Sequence, residues 1–180
     1  MSYRPRTRFL IATCGLLAFS SLACGSSADK CGDLQSYTAS VTTPYSFATD
    51  IHPIMSDTTA QVGCAQAQTC HGNPSVFLDT GLMKTLVLTE PAATVRTALL
   101  QQVPVNAPSM KLVVPGNVGA SFLAYKLSGA DGLACVNAMC VSGASIGIAK
   151  PCGDPMPMGG ILSAADRTKI LDWIKQGAAE

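Results

Sequence analysis

Cys64-Ala-Gln-Ala-Gln-Thr-Cys70-His71 is the stretch on which the reading of this chain turns. Two cysteines precede a histidine that directly follows the second. That is the order of a covalent haem attachment site, usually written C-x-x-C-H. In such a site two thiols add to the vinyl groups of haem, and the adjacent histidine is set under the iron as an axial ligand. Here five residues separate the cysteines instead of two. At i and i+3 two side chains share one face of a helical turn; at i and i+6 they stand about 240° apart on an ideal helix. Both sulfurs reach one haem edge only if Ala65–Thr69 loops out. The competing reading of the same residues is a Cys64–Cys70 disulfide closing a short loop, with His71 exposed and no cofactor.

The N-terminus reads as an export signal. Arg4, Arg6 and Arg8 precede Phe9–Ala23, a run of apolar and small residues that is too short for a membrane span and suits a signal core. It ends in Leu22-Ala23-Cys24-Gly25, where a small residue before cysteine marks a cleavage and lipidation site, although Ser21 stands where leucine is usual. The expectation is a signal peptide over 1–23 and an acylated Cys24, anchoring the protein in the periplasm or outer membrane without a transmembrane helix. Loss of residues 1–23 removes three arginines and no acid, leaving nine basic and eleven acidic residues and a formal charge of −2. No basic patch remains to neutralise phosphates, which argues against nucleic acid as a partner.

Cysteine parity agrees with this assignment. Cys14 leaves with the signal and Cys24 is taken by lipid, so six remain: Cys31, Cys64, Cys70, Cys135, Cys140 and Cys152. An even set in an exported chain suits an oxidising compartment. With Cys64 and Cys70 on haem, the other four allow three disulfide pairings; without haem, six allow fifteen.

Residues 24–45 are rich in Ser, Thr, Gly and Ala with no helical period, and read as a flexible tether that Cys31 pins to the domain. Residues 46–180 form one small domain. A short helix is expected over Ser46–Ser56, with Asp50 as N-cap and Ile51, Ile54 and Met55 facing inward. Gly72-Asn73-Pro74 is a turn, and Leu82–Leu88 is apolar without a clear period. A helix opens at Pro91 and runs to Leu100. Val113–Asn117 is extended into a turn, and Ser121–Leu127 is a short helix with Phe122, Leu123 and Leu127 inward. Gly129–Pro155 reads as a long glycine-rich loop, acceptable in a compact domain if Cys135, Cys140 and Cys152 cross-link it. The last helix starts at Ser163, with Asp166 completing a box-like cap, and carries Ile170, Leu171, Trp173, Ile174 and Ala178 on its apolar face. It is expected to dock on the Ile51–Met55 helix.

Taken in order, these pieces resemble the small cytochrome c-like domains of exported bacterial proteins, over roughly Phe47–Ala178. The resemblance rests on Asp50-Ile51-His52-Pro53-Ile54, then Cys64, Cys70 and His71. Val114-Pro115-Gly116 follows, with Ser121-Phe122-Leu123 and Lys126-Leu127. The set closes with Met156-Pro157-Met158-Gly159-Gly160-Ile161-Leu162-Ser163 and Ile170–Ala178. It implies an all-α, cytochrome c-like fold with long cross-linked loops. It also implies a haem c whose iron lies between His71 and the thioether of Met156, a pairing that raises the reduction potential. Met158 and His52 are the other distal candidates, although His52 reads more simply as an exposed residue of a first helical turn. Copper or zinc would also suit these side chains, but no tight tetrahedral spacing supports them. No G-x-S-x-G, H-E-x-x-H or phosphate-binding glycine loop is present, and the carboxylates form no acid–base pair. The expected role is therefore an electron carrier that catalyses no reaction of its own, with an unidentified redox partner protein. The alternative is a haem-less, disulfide-stapled lipoprotein of the same shell serving as an envelope interaction module.

Overall fold

A computed structural model describes residues 27–58, 64–65, 71–72, 86–141, 150–158, 160 and 162–180. The expected signal peptide, Cys24, Cys70, Asn73-Pro74 and most of Leu82–Leu88 lie outside them. Among the described residues the fold is all-α: short helices joined by turns, with one isolated parallel bridge between Lys111 and Ser121 and no strand. The helices are α1 (Ser27–Gln35), a π-helix (Phe47–Ile51) continuous with α2 (His52–Met55), α3 (Ala92–Gln101), a 3₁₀ turn (Val118–Ala120), α4 (Phe122–Leu127), α5 (Gly129–Cys135), a 3₁₀ turn (Asn137–Met139) and α6 (Ala164–Lys175).

α6 is the centre of the core. Ser163 caps it as its pattern predicts: Oγ accepts from the Asp166 N–H at 3.0 Å and donates to the Asp166 carboxylate at 2.7 Å. Ile170, Leu171, Trp173 and Ile174 are buried on its inner face, with Ala178 beyond its end. Trp173 is fully enclosed, its ring 5.0 Å from that of Phe47 and its indole N–H on the Ala179 carbonyl. A side chain of this kind contributes roughly 2–3 kcal/mol by leaving water. The expected docking of the last helix near Ile51–Met55 is made by the π-helical turn that precedes α2, through Phe47.

That first helix is wider than a regular α-helix for a reason visible in the sequence. Pro53 has no N–H, and its ring would clash with the carbonyl four residues back. The turn before it relaxes to π spacing, with the His52 N–H reaching Phe47 O. Asp50 is not the N-cap expected of it. Ser46 holds that position, and Asp50, one turn in, accepts the Ser46 N–H at 2.8 Å. A carboxylate reaching back over the first turn satisfies a donor that the helix itself leaves open.

Two further expectations are corrected. The segment read as a structureless tether contains α1, and the glycine-rich loop after Leu127 contains α5 and a 3₁₀ turn. In the second case the glycine is a packing residue. A Cβ on Gly132 would sit 2.5 Å from Ser128 Cβ and 2.6 Å from the Tyr125 carbonyl oxygen, so only glycine lets α5 fold back this tightly on α4. Two disulfides, Cys31–Cys135 and Cys140–Cys152, cross-link the fold. Of the three cysteines expected to bridge within the loop, only Cys140 and Cys152 pair with each other; Cys135 reaches back to α1.

Candidate functional site

The two described ends of the Cys64–His71 stretch meet. The His71 N–H donates to the Cys64 carbonyl at 3.2 Å, and the Ala65 N–H donates to the Asp57 carbonyl at 3.3 Å. Cys64 and Ala65 are buried in the core. The expected loop-out of Ala65–Thr69 falls, beyond Ala65, on residues outside those described. Cys70, the second sulfur of the motif, lies outside the described residues.

His71 is held by backbone on both sides. Its carbonyl accepts the Leu88 N–H at 2.8 Å, and its Nδ1 lies 3.0 Å from the Leu86 carbonyl oxygen. A carbonyl can only accept, so Nδ1 carries the proton and the imidazole lone pair resides on Nε2. Burial lowers the pKa of the ring below the ordinary histidine value, opposed by the Leu86 hydrogen bond and reinforced by the positive charge of Lys126. A neutral imidazole with its Nδ1 proton fixed by a carbonyl is the state in which histidine serves as a metal ligand, because the second hydrogen bond fixes tautomer and ring orientation. The chemistry of the donor set therefore fits a haem iron on His71 Nε2.

Met156 is on the loop after the second disulfide. Its side chain is half-buried against the core, Pro157 beside it is buried and Met158 is 42% exposed. Of the two methionines, Met156 is thus the one turned toward the interior. The loop is arranged around Lys126 of α4. The Lys126 ammonium donates to the carbonyls of Cys152 and Asp154, and the Lys126 carbonyl accepts the Met156 N–H at 3.0 Å. Gly153, at φ +71°, completes the turn: a side chain there would meet the Lys126 ammonium at 3.1 Å. Burial lowers Lys126 to about 8, against an opposing pull from Asp154. One lysine therefore lies at the hub of the Met156 loop while its charge acts on His71. Its place in Lys126-Leu127 was visible in the sequence, but its role was not, since a lone lysine on a short helix ordinarily points to solvent.

His52 has a structural use. Its Nε2 donates to the carbonyls of Leu88 and Glu90 at 3.1 and 3.0 Å, and its ring lies 5.8 Å from Phe47. With Nε2 committed to carbonyls, His52 fixes the start of the segment leading into α3. It is half-buried rather than exposed.

A polar cluster between α6 and the segment after α1 had no sequence signal. Asp172 is fully buried on the side of α6 opposite Ile170 and Ile174, under the segment from Tyr37, and accepts from the Tyr37 hydroxyl at 2.7 Å, the Ser40 N–H at 2.9 Å and the Ser40 hydroxyl. Burial and the neighbouring carboxylate push the Tyr37 hydroxyl well above its ordinary pKa. One turn on, the Gln176 amide accepts the Tyr45 N–H and donates to the carbonyls of Val41 and Thr43. The chain from Tyr37 to Tyr45 is laced onto α6.

No family model, curated protein or solved structure matches this chain. Among the described residues, no helix is long and apolar enough to cross a membrane, and no three His, Cys, Asp or Glu side chains cluster as a metal site.

Proposed function

We propose that this is a haem-binding electron-transfer lipoprotein with a cytochrome c-like fold, exported and anchored in the cell envelope through acylated Cys24. The observation that carries this reading is His71: half-buried, its pKa lowered, with its Nδ1 proton on a backbone carbonyl, so that Nε2 is the nitrogen with the lone pair. Cys64 and Cys70 would hold the haem edge by thioether bonds, His71 would be the proximal ligand and Met156 the distal one. Haem, when bound, supplies a reversible one-electron couple. The protein's part is to hold the ligands and exclude water. Cys64 and Ala65 close one wall with apolar side chains, the Leu86 carbonyl keeps the imidazole from rotating, and Lys126 holds the loop bearing Met156. The redox partner is a protein, and the activity is carriage of an electron without a chemical product.

The test is to export the full chain in a host with covalent haem-attachment machinery. A Soret absorbance and a mass increase of one haem are expected. His71→Ala should abolish the low-spin spectrum, and Met156→Ala should convert it to that of a weaker axial ligand. A colourless protein with Cys64 and Cys70 in one disulfide-linked peptide overturns the reading in favour of a haem-less envelope module.

A further inference from the structure

The position of α1 bears on how the anchored protein sits, and the inference rests on the lipid anchor proposed above. Had residues 24–45 been a free tether, the domain could stand up to about 80 Å from its anchor at full extension. Instead the chain is bound to the domain from Cys31 onward. Cys31 is bonded to Cys135, with their Cα atoms 5.6 Å apart. Leu34 is buried at 5% exposure, and Tyr37, Ser40, Val41, Thr43 and Tyr45 are tied to Asp172 and Gln176. Between Cys24 and the first residue of α1 stand only Gly25 and Ser26. Whatever their conformation, three Cα steps span at most about 11 Å. A further four residues of helix bring the chain to Cys31, about 6 Å along the axis.

We infer that the domain rests on the bilayer surface in one orientation, with the Cys31–Cys135 edge against the lipid headgroups. This edge consists of the N-terminal half of α1, the C-terminal end of α5 and the 3₁₀ turn Asn137–Met139. Exposed on it are Ala134, Asn137, Ala138 and Met139, the last 51% exposed and apolar, suited to the interfacial layer. Residues 27–35 and 129–139 carry Asp29, Asp33 and Asp131 against the single cation Lys30, a formal charge of −2. The surface therefore has no electrostatic attraction for anionic lipid. Contact is imposed by the short covalent link and not by affinity, so the chain beginning at Ser27 is expected to stay off vesicles.

The experiment uses the full-length lipoprotein in phosphatidylethanolamine–phosphatidylglycerol vesicles containing brominated lipid. An environment-sensitive fluorescent amino acid replaces Ala138 on this edge, or Thr94, exposed on α3, which packs on the π-helix. Intact mass establishes acylation first, with Cys24→Ser as the unacylated control. Quenching at least three-fold stronger at position 138 than at 94 is expected, with the difference lost when ten Gly-Ser residues are inserted after Gly25. Equal or reversed quenching in an acylated protein overturns the orientation while leaving the anchor intact. A wild-type mass without acyl groups overturns the anchor and the orientation with it.

Discussion

Two regions of this molecule are held by different forces. Around α6 the fixing is dense and mutual: Trp173 against Phe47, a box-capped helix start, and a buried carboxylate whose three donors come from a chain segment more than 130 residues away in sequence. Among the described residues next to His71 and Met156 in the chain, turns and bends replace helices. Imidazole and ammonium groups donate to backbone carbonyls there, and a short disulfide closes the loop. The first region spends its side chains on one another and is a scaffold. The second spends them on orienting backbone and single donor atoms, the arrangement expected where a group must be presented rather than merely buried.

Removing the disulfides separates the two regions most strongly. Cys31–Cys135 spans 104 residues and Cys140–Cys152 spans 12. By loss of loop-closure entropy, the first contributes about 4–5 kcal/mol and the second about 3 kcal/mol. Urea unfolding of the two double-alanine variants should show that order, with the Cys140/Cys152 variant retaining the near-ultraviolet signal of Trp173.

Asp172→Ala should come next, at about 3 kcal/mol, because it removes three hydrogen bonds to one buried carboxylate, from the half-buried Tyr37 hydroxyl and from the N–H and hydroxyl of Ser40. Asp172→Asn keeps acceptor capacity and should recover part of the loss. Hydrogen exchange localises the effect: protection at Ser40 and Tyr45 should fall, while that at His71 and Leu88 is unchanged.

Gly132→Ala is expected to cost about 2 kcal/mol by forcing α5 off α4. Thermal unfolding measures this, and a neutral result would mean that the close approach of the two helices relaxes freely.

The smallest effect is electrostatic and belongs to the site region. Lys126 is held down to about 8 in the folded protein, against 10.5 for an unperturbed lysine. Between those values the unfolded chain binds the proton and the folded one does not, so stability rises with pH across that window. Lys126→Met should lack the rise. The wild-type stability minus that of the variant, measured in urea at pH 7.5 and pH 10, should shift by about 1–2 kcal/mol in favour of the wild type at the higher pH.

Much of the scaffold was legible along the chain. The Ser163–Asp166 cap, the Ile170–Trp173–Ile174 stripe and Pro91 at a helix start are local patterns, and local patterns fix helix ends and inward faces. Phe122, Leu123 and Leu127 are buried as their spacing indicates. Composition misled in two places. Ser, Gly and Ala before Tyr37 suggested a tether, and Gly129 and Gly132 suggested a loop; both segments are helical because tertiary contacts outweigh weak propensity. For the candidate site, the sequence supplied the proposed donors: Cys64, His71 and Met156. It could not supply their supports, Leu86, Lys126 and the Cys152–Asp154 carbonyls. Those are backbone groups and a lysine that carry no pattern of their own and become partners only when the chain brings them within hydrogen-bond distance. Asp172 is the sharpest case: on the polar side of α6 it reads as a solvent-facing residue, and only the arrival of Tyr37 and Ser40 buries its carboxylate and gives it the donors it needs. By itself, then, the sequence determined which residues are apolar, which can ligate and where helices begin. The tertiary structure alone decided which polar groups meet, because hydrogen bonding inside a protein depends on positions set by chain segments far apart.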